Sequence, residues 1–316
     1  MALIDVIVSD IVQETPTIKT IFLSKPDGTS MGSYSPGAHI DIVGPTALTR
    51  QYSLCSRPDG RESFAVAVKR EANSRGGSVA LHDLQVGDSL QISEPRNLLQ
   101  IAEDATHHVL VAAGIGITPM LSMARYMDVH GISFELHYFA RTAEEAAFLP
   151  MLQDRCPEKL HAHLGVSRDE QDALLQSALA GATAGTHVYV CGPDGFMSKV
   201  IALAEQLVSA EAVHFEAFHA SDQPSSDTNT AFEVELDGET YEVPADKSIV
   251  EVLEANGCDV DTSCQEGICG TCIMQVLNGE PEHRDNVLTK AERDAGEVMA
   301  VCVSRTKGPK LVLDYY

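Results

Sequence analysis

The sequence predicts a multidomain chain: an antiparallel β domain, then an α/β domain built on a parallel sheet, then a small α+β domain. Three observations predict this order. The first hundred residues carry period-two runs separated by turn signals. The next hundred alternate short apolar runs with helical spacing. A polar stretch then leads into a hairpin pattern followed by a tight group of cysteines.

In the first segment Phe64, Val66 and Val68 alternate with Ala65, Ala67 and Lys69, and Ile40 and Ile42 alternate with His39 and Asp41. Pro26-Asp27-Gly28, Ser35-Pro36-Gly37, Pro58-Asp59-Gly60 and Val86-Gly87-Asp88 punctuate the runs. Short strands with regular turns predict an antiparallel barrel or sandwich over 1–101. The pattern changes near residue 105. His108 to Ala113 is a continuous apolar run, as a strand buried on both faces requires. Helical spacing follows from Thr118 to Val129. A second strand is expected over Phe134 to Phe139, a helix over Ala143 to Leu152, a strand over His187 to Val190 and a helix from about Gly195 to Val208. This alternation predicts a parallel sheet with helices on both faces, over 102–220. Residues 221–230, within the run His219 to Thr230, are rich in Ser, Asp and Thr and read as a linker. In 231–316, Phe232, Val234 and Leu236 alternate with acids up to Asp237-Gly238, and Thr240 to Val243 returns, a hairpin signal. Ile249 to Asn256 reads as a short helix ended by Gly257.

The chain has 316 residues, 44% hydrophobic and 22% charged, with a formal charge of -24. That charge argues against nucleic acid or an anionic membrane surface as the main partner. From Ala231 onward there are 18 acidic against 7 basic side chains, a net charge of -11, fitting solubility or a docking face. The start lacks a basic region and carries Asp5, unlike a signal peptide, and the apolar stretch from Val109 to Leu121 is too short to span a bilayer. A cytoplasmic protein is expected.

Cys264, Cys269 and Cys272 have the spacing C-x4-C-x2-C, and Cys302 follows after 29 intervening residues. This is the plant-type spacing for a [2Fe-2S] cluster. Four thiolates suit two tetrahedral irons, and Gly267 and Gly270 free backbone N–H groups to face the sulfurs. The alternatives are a zinc site, which usually takes two C-x2-C pairs where here there is one, or four unrelated buried thiols. Cys258 lies outside the spacing and reads as a small buried hydrophobe.

The segment Ser263 to Cys272 resembles the plant-type ferredoxin motif. His283-Arg-Asp-Asn-Val-Leu288 and Val301-Cys-Val-Ser-Arg305 resemble the matching tail of the phthalate dioxygenase reductase family, which includes vanillate demethylase reductases. The resemblance covers essentially the whole chain. It implies an antiparallel β-barrel flavin domain, an α/β parallel-sheet nucleotide domain and an α+β (β-grasp) ferredoxin domain.

Earlier motifs gain meaning in that frame. Arg50-Gln51-Tyr52-Ser53 resembles the R-x-Y-S motif of ferredoxin-reductase-like flavin domains: Arg can clamp a phosphate, Tyr can lie along an aromatic ring and Ser can bond its polar edge. Val68-Lys69-Arg70 and Arg75-Gly76-Gly77-Ser78 match the same family in order, and the Gly-Gly-Ser turn offers N–H groups to a phosphate. The spacing leaves FMN and FAD open; the resemblance implies FMN. It also implies that Phe218 covers the flavin, the other reading being a core Phe at a domain seam. Gly114-Ile115-Gly116-Ile117-Thr118-Pro119 follows a strand and opens a helix, as pyrophosphate binding requires. Pro119 breaks the ordinary dinucleotide fingerprint, and the segment resembles the G-x-T-P variant of ferredoxin reductases. Cys191-Gly192-Pro193 matches that family's C-G-P motif, which implies a Cys beside the nicotinamide.

The resemblance implies a relay in which NADH delivers an electron pair to FMN and the cluster exports single electrons. Cys191 and Thr118 would position the nicotinamide and Ser53 would tune the flavin, with no side-chain acid or base in the hydride step. Arg141, after the second α/β strand, leaves NADPH open, while the resemblance favours NADH. The implied acceptor is a Rieske-type terminal oxygenase, with aromatic acids the best-fitting substrates and a monomeric reductase. Plant-type clusters lie near about -400 mV and Rieske centres at about -150 mV or above, so export is downhill. Two other readings are a reductase for a different acceptor such as a haem monooxygenase, and a non-catalytic redox sensor. His39 has no nameable partner in the sequence, and Glu216 reads as a surface residue rather than a flavin neighbour.

Overall fold

The computed structural model describes residues 3–46, 48–60, 62–72, 76–218 and 229–316. Arg75 and most of the expected linker lie outside these. The chain divides into two compact units after Glu216.

The larger unit begins with β1 (Leu3–Thr15), β2 (Ile18–Ser24), β3 (His39–Val43), β4 (Thr49–Ser53), β5 (Phe64–Lys69), helix α1 (Gly77–His82) and β6 (Ser89–Ser93). These strands form an antiparallel sheet in the order β4-β3-β6-β1-β2-β5. Its two ends meet at a bridge between Leu54 and Val66, with Cys55 N donating to Ala65 O at 2.8 Å. The alternating residues Val6, Val8, Ile21, Leu23, Ile40, Ile42, Phe64 and Val66 fill one core, as the period-two pattern requires.

A parallel sheet follows, made of β7 (His107–Ala113), α2 (Ile117–His130), β8 (Phe134–Ala140), α3 (Leu149–Arg155), β9 (Leu160–Leu164), α4 (Arg168–Leu179), β10 (Thr186–Cys191), α5 (Asp194–Ala204) and β11 (Val213–Glu216). The strand order is β11-β10-β7-β8-β9. The winding reverses between β7 and β10, and such a reversal opens a crevice at the strand C-termini.

Two expectations change here. Residues 143–148 are turns, and the helix expected over Ala143 to Leu152 starts only at Leu149. Phe148 takes a left-handed φ of 63° as its N-cap, and Pro150, in the first turn, starts a helix but cannot sit inside one. The helix expected to reach Val208 ends at Ala204. Two strands and a helix went unread: β9 is a half-exposed Leu-His-Ala-His-Leu, β11 has four residues, and α4 is held by a capping box between Ser167 and Glu170.

The smaller unit contains β12 (Phe232–Leu236), β13 (Glu239–Val243), α6 (Ile249–Ala255), β14 (Ile273–Asn278), β15 (Pro281–Glu282), α7 (Lys290–Ala295), β16 (Val298–Ala300), β17 (Arg305–Thr306) and β18 (Lys310–Tyr315). Its main sheet is mixed, β13-β12-β18-β14-β16, with β12 and β18 parallel. The β12–β13 turn places Asp237 and Gly238 at φ 53° and 81°, the primed turn that suits a twisted hairpin. Ile249 and Leu253 of α6 join Val234, Met274, Met299 and Leu311 in one core. The three expected fold types are present in the expected order. No helix among the described residues is long and apolar enough to cross a membrane.

Candidate functional site

In the larger unit the two glycine motifs meet at the topological switch. Strands β7 and β10 pair in parallel with Cys191 opposite Ala112. Gly114 has a left-handed φ of 56°, and a short 3-10 turn over Gly114–Gly116 leads into α2. A Cβ on Gly116 would fall 2.2 Å from Cys191 O and 2.8 Å from Gly192 N. A Cβ on Gly192 would fall 2.9 Å from Ala113 Cβ and 3.2 Å from Phe196 Cδ1. The motifs are packed backbone to backbone, which explains why both need glycine. Thr118 is buried and its Oγ1 donates to Ile115 O at 3.0 Å, while Pro119 is buried in the first turn of α2. Pro193 is exposed as the N-cap of α5. Arg141 is exposed just after β8.

Barrel and parallel sheet are joined by hydrogen bonds. Gly37 N donates to Ser122 Oγ at 2.9 Å, and Arg125 donates to Cys55 O at 2.7 Å. A third link lies at the crevice. Ser53 ends β4 and faces His39 across the β3–β4 pair. Ser53 Oγ donates to Glu216 Oε2 at 2.9 Å, and His39 Nδ1 lies 3.5 Å from Glu216 Oε1. Glu216 ends β11 directly opposite Cys191 on β10. Ser53, His39, Glu216 and Cys191 therefore converge in one buried group. Burial, and then the Glu216 charge, push the Cys191 thiol well above its usual range, so it stays protonated. Glu216 is 8% exposed, which corrects its reading as a surface residue, and His39 is its buried neighbour. Sequence reasoning missed this pairing because it rests on β11. Replacing Ser53 with Ala should leave the buried Glu216 carboxylate without its donor, at a cost of about 1–3 kcal/mol. Thermal unfolding of the holoprotein should fall by several degrees, and an unchanged melting temperature would show that the bond contributes nothing.

The other flavin-motif residues separate by role. Arg50 and Tyr52 share one face of β4, and Gln51 shares the opposite face with Ser53. A Cβ on Gly77 would lie 3.2 Å from Arg50 Cγ, so the Arg50 side chain runs along the start of α1, where Gly76 takes φ 106°. Arg50 and the Gly76-Gly77 turn can thus present positive charge and N–H groups to one phosphate. Tyr52 is half-buried, and burial pushes its hydroxyl up to about 12. Gln51 donates to Asp41 Oδ1 at 3.0 Å, which Arg96 also bonds at 2.7 Å. Val68 is sealed in the barrel core, Lys69 pairs with Glu71 at 3.0 Å, and Ser78 Oγ accepts from Glu71 N at 3.2 Å. Phe218 is half-buried and belongs to the smaller unit.

In the smaller unit the four cysteines gather as two pairs. Cys264 Sγ and Cys269 Sγ are 3.1 Å apart, and Cys272 is hydrogen-bonded to Cys302. The neighbouring Cys264 thiol holds Cys269 down to about 5; Cys302 lowers Cys272 in the same way, and each donor is raised in turn. Gln265, Gly267 and Gly270 all take left-handed φ, which curls the loop around the sulfurs. Glu266 N donates to Cys264 Sγ at 3.3 Å and Thr271 N to Cys269 Sγ at 3.5 Å. Two soft donor pairs with inward N–H groups fit two tetrahedral irons and offer no histidine to a Rieske centre. The tail motifs brace this loop. Asn286 N donates to Gly267 O at 2.8 Å, and buried Asp285 Oδ1 accepts from Val287 N and Leu288 N. Arg305 donates to the carbonyls of Lys247, Thr230 and Pro244. Cys258 is half-buried outside the group, its thiol 3.5 Å from Tyr241 OH.

Comparison with known proteins agrees with this geometry. The 2Fe-2S iron-sulfur cluster binding domain family matches residues 232–307, and the N-terminal domain family of dimethylamine monooxygenase subunit DmmA-like proteins matches 92–212. A vanillate O-demethylase oxidoreductase from a Pseudomonas species is 41% identical over 99% of this chain and all of its own. Oxidoreductase NdmD of Pseudomonas putida is 40% identical over 96% of this chain, which spans 52% of that protein. Among solved structures, an intact type IV self-sufficient cytochrome P450 monooxygenase superposes with a TM-score of 0.87 at 37% identity, over 98% of this chain and 41% of its own. Phthalate dioxygenase reductase, described as a modular structure for electron transfer from pyridine nucleotides to [2Fe-2S], superposes with a TM-score of 0.74 at 35% identity, over 99% and 98% of the two chains. With such identity along nearly the full length of both, the chain belongs to the phthalate dioxygenase reductase family of flavin and iron–sulfur oxidoreductases.

Proposed function

We propose that this protein is the reductase component of a two-component Rieske oxygenase system, taking electrons from NADH and passing them singly to a terminal oxygenase that acts on an aromatic acid. The observation that carries the reading is the presence in one chain of a glycine-lined switch-point crevice and a two-pair cysteine loop. FMN and the cluster, when bound, supply the conversion of an electron pair into single electrons. The chain's own part is placement. Gly114, Gly116 and Gly192 let a dinucleotide approach the backbone, and Thr118 and Pro119 set the start of α2 beneath it. Cys191 and Ser53 hold the reacting rings in register, Ser53 through its bond to Glu216. Arg50, Gly76, Gly77 and Ser78 hold the flavin phosphate, Tyr52 lies along its ring, and Gln51, Val68 and Lys69 shape the strands that carry the site, Val68 from inside the barrel core. Cys264, Cys269, Cys272 and Cys302 hold the cluster. The partition is 1–101, 102–220 and 231–316, and the protein works as a cytoplasmic monomer.

The test is anaerobic mixing with NADH, followed by addition of a Rieske oxygenase component. Rapid flavin bleaching, then cluster bleaching, then substrate turnover dependent on both proteins is expected. Absence of NADH oxidation with ferricyanide or cytochrome c would reduce the protein to a sensor. A second reading, a haem monooxygenase as acceptor, is favoured by the likeness to the self-sufficient P450. Turnover with a haem partner and none with a Rieske component would select it.

A further inference from the structure

Outside the crevice and the cysteine loop, the far edge of the parallel sheet carries a histidine cluster that the electron-transfer reading does not use. Strands β8 and β9 pair in parallel with His137 opposite His161 and Phe139 opposite His163. The strand alternation therefore puts Glu135, His137 and Phe139 on the same face as His161 and His163. The rings stack: His137 on His161 at 4.6 Å, His137 on His163 at 5.4 Å, and Phe139 on His163 at 4.3 Å.

Glu135 Oε2 lies 3.5 Å from His137 Nε2 and 3.8 Å from His161 Nε2. The three donor atoms all lie within 4.8 Å of one another. His137 is 6% exposed, and its Nε2 makes no hydrogen bond. Its nearest acceptor, the Glu135 carboxylate at 3.5 Å, is too far for a good hydrogen bond, and an ion held between the two would satisfy both. Its other nitrogen, Nδ1, lies 3.1 Å from His163 Nε2. When Nδ1–H donates to His163, Nε2 is left as a bare lone pair beside the Glu135 carboxylate, the arrangement in which a ligating histidine is oriented from behind, and the stacked His161 ring must turn for its own nitrogen to face the same ion.

The geometry points to a binding site for a divalent first-row transition ion such as Zn2+, ligated by Glu135, His137 and His161, with His163 as the positioning residue and a fourth position open to solvent. Zinc bond lengths of roughly 2.0–2.2 Å to nitrogen and oxygen put tetrahedral ligands roughly 3.3 Å apart. The two Glu135 contacts, at 3.5 and 3.8 Å, lie near that spacing, and the His137–His161 separation, within 4.8 Å, closes by rotation of the half-exposed His161 side chain. Two imidazoles with one carboxylate favour Zn2+, Co2+ or Ni2+ over Ca2+ or Mg2+, which take oxygen ligands. His161 and Glu135 are 43% and 46% exposed, so an ion can reach the site. A bound ion would clip the edge strand β9 to β8.

The test is calorimetric titration of ZnCl2 into the holoprotein, with visible absorbance followed to confirm that the cluster cysteines stay occupied. About one equivalent is expected to bind the wild-type protein. His161→Gln and Glu135→Gln should each weaken it at least tenfold, and His163→Gln should weaken it by about 10–100-fold through loss of orientation. Exposed His130→Gln, away from the cluster, should change nothing. Both ligand changes fall on half-exposed side chains, and retained NADH–ferricyanide activity reports an intact fold. The assignment is overturned if the wild-type protein binds no Zn2+ above the background of surface histidines, or if the one equivalent persists unchanged in both ligand variants. Failure here leaves the reductase reading untouched, because that reading is scored on NADH oxidation.

Discussion

Replacing Cys269 with Ser is expected to abolish cytochrome c reduction while sparing reduction of the flavin by NADH. Cys269 is 4% exposed, sits 3.1 Å from Cys264 and receives the Thr271 N–H, so it is the most enclosed member of its pair. Serine offers a hard oxygen donor that remains protonated, where iron–sulfur chemistry needs a soft thiolate. Loss of an outer-sphere partner costs about 10–100-fold in metal affinity, and loss of a ligand itself should exceed that. The larger unit holds the crevice by itself, so the hydride step has no reason to change. Iron and acid-labile sulfide per chain, cytochrome c reduction and stopped-flow flavin bleaching form the set of measurements. Cytochrome c reduction at the wild-type rate in a variant stripped of iron would mean that electrons do not leave through the cysteine loop.

Gly116→Ala should strongly impair the nucleotide crevice of the larger unit. The backbone at Gly116 has φ -61°, so alanine meets no conformational penalty there. The obstacle is contact: the new methyl would sit 2.2 Å from Cys191 O and 2.4 Å from Cys191 C. Those are backbone atoms within a parallel strand pair, and they cannot rotate aside. Overpacking of this kind costs about 1–3 kcal/mol. Moving Cys191 away from α2 by about 1 Å should lower kcat/KM for NADH with ferricyanide by roughly hundredfold. Gly181→Ala is the control, since nothing lies within 4 Å of its Cβ position. A Gly116→Ala enzyme with native kinetics would show that the two glycine motifs do not share one wall.

Some of this was legible in the sequence for simple reasons. A strand buried on both faces must be apolar throughout, so β7 stood out, and period two exposed the barrel strands. The cysteine spacing is local, so the loop declared itself. Other parts depend on register or on chemistry the pattern hides. β9 alternates leucine and histidine at the sheet edge and lacks an apolar signature. With β9 unread, the stacking of His137 on His161 and His163 was invisible. The Ser53–Glu216 bond spans 163 positions and depends on β11, four residues long. The turn before α3 was masked by alanines and glutamates with good helical propensity, which Phe148 and Pro150 override.

The bonds from Gly37 to Ser122, from Arg125 to the Cys55 carbonyl and from Ser53 to Glu216 have an evolutionary corollary. Each one joins a group contributed before residue 101 to one contributed after it, and each uses a side chain whose partner is a main-chain atom or a single carboxylate. Grafting only one half onto a foreign scaffold would strand these donors and acceptors in a dry seam. Recombination between relatives should therefore tolerate a crossover after Glu216 far better than one near residue 101, and the two halves of the larger unit should be inherited as a single block.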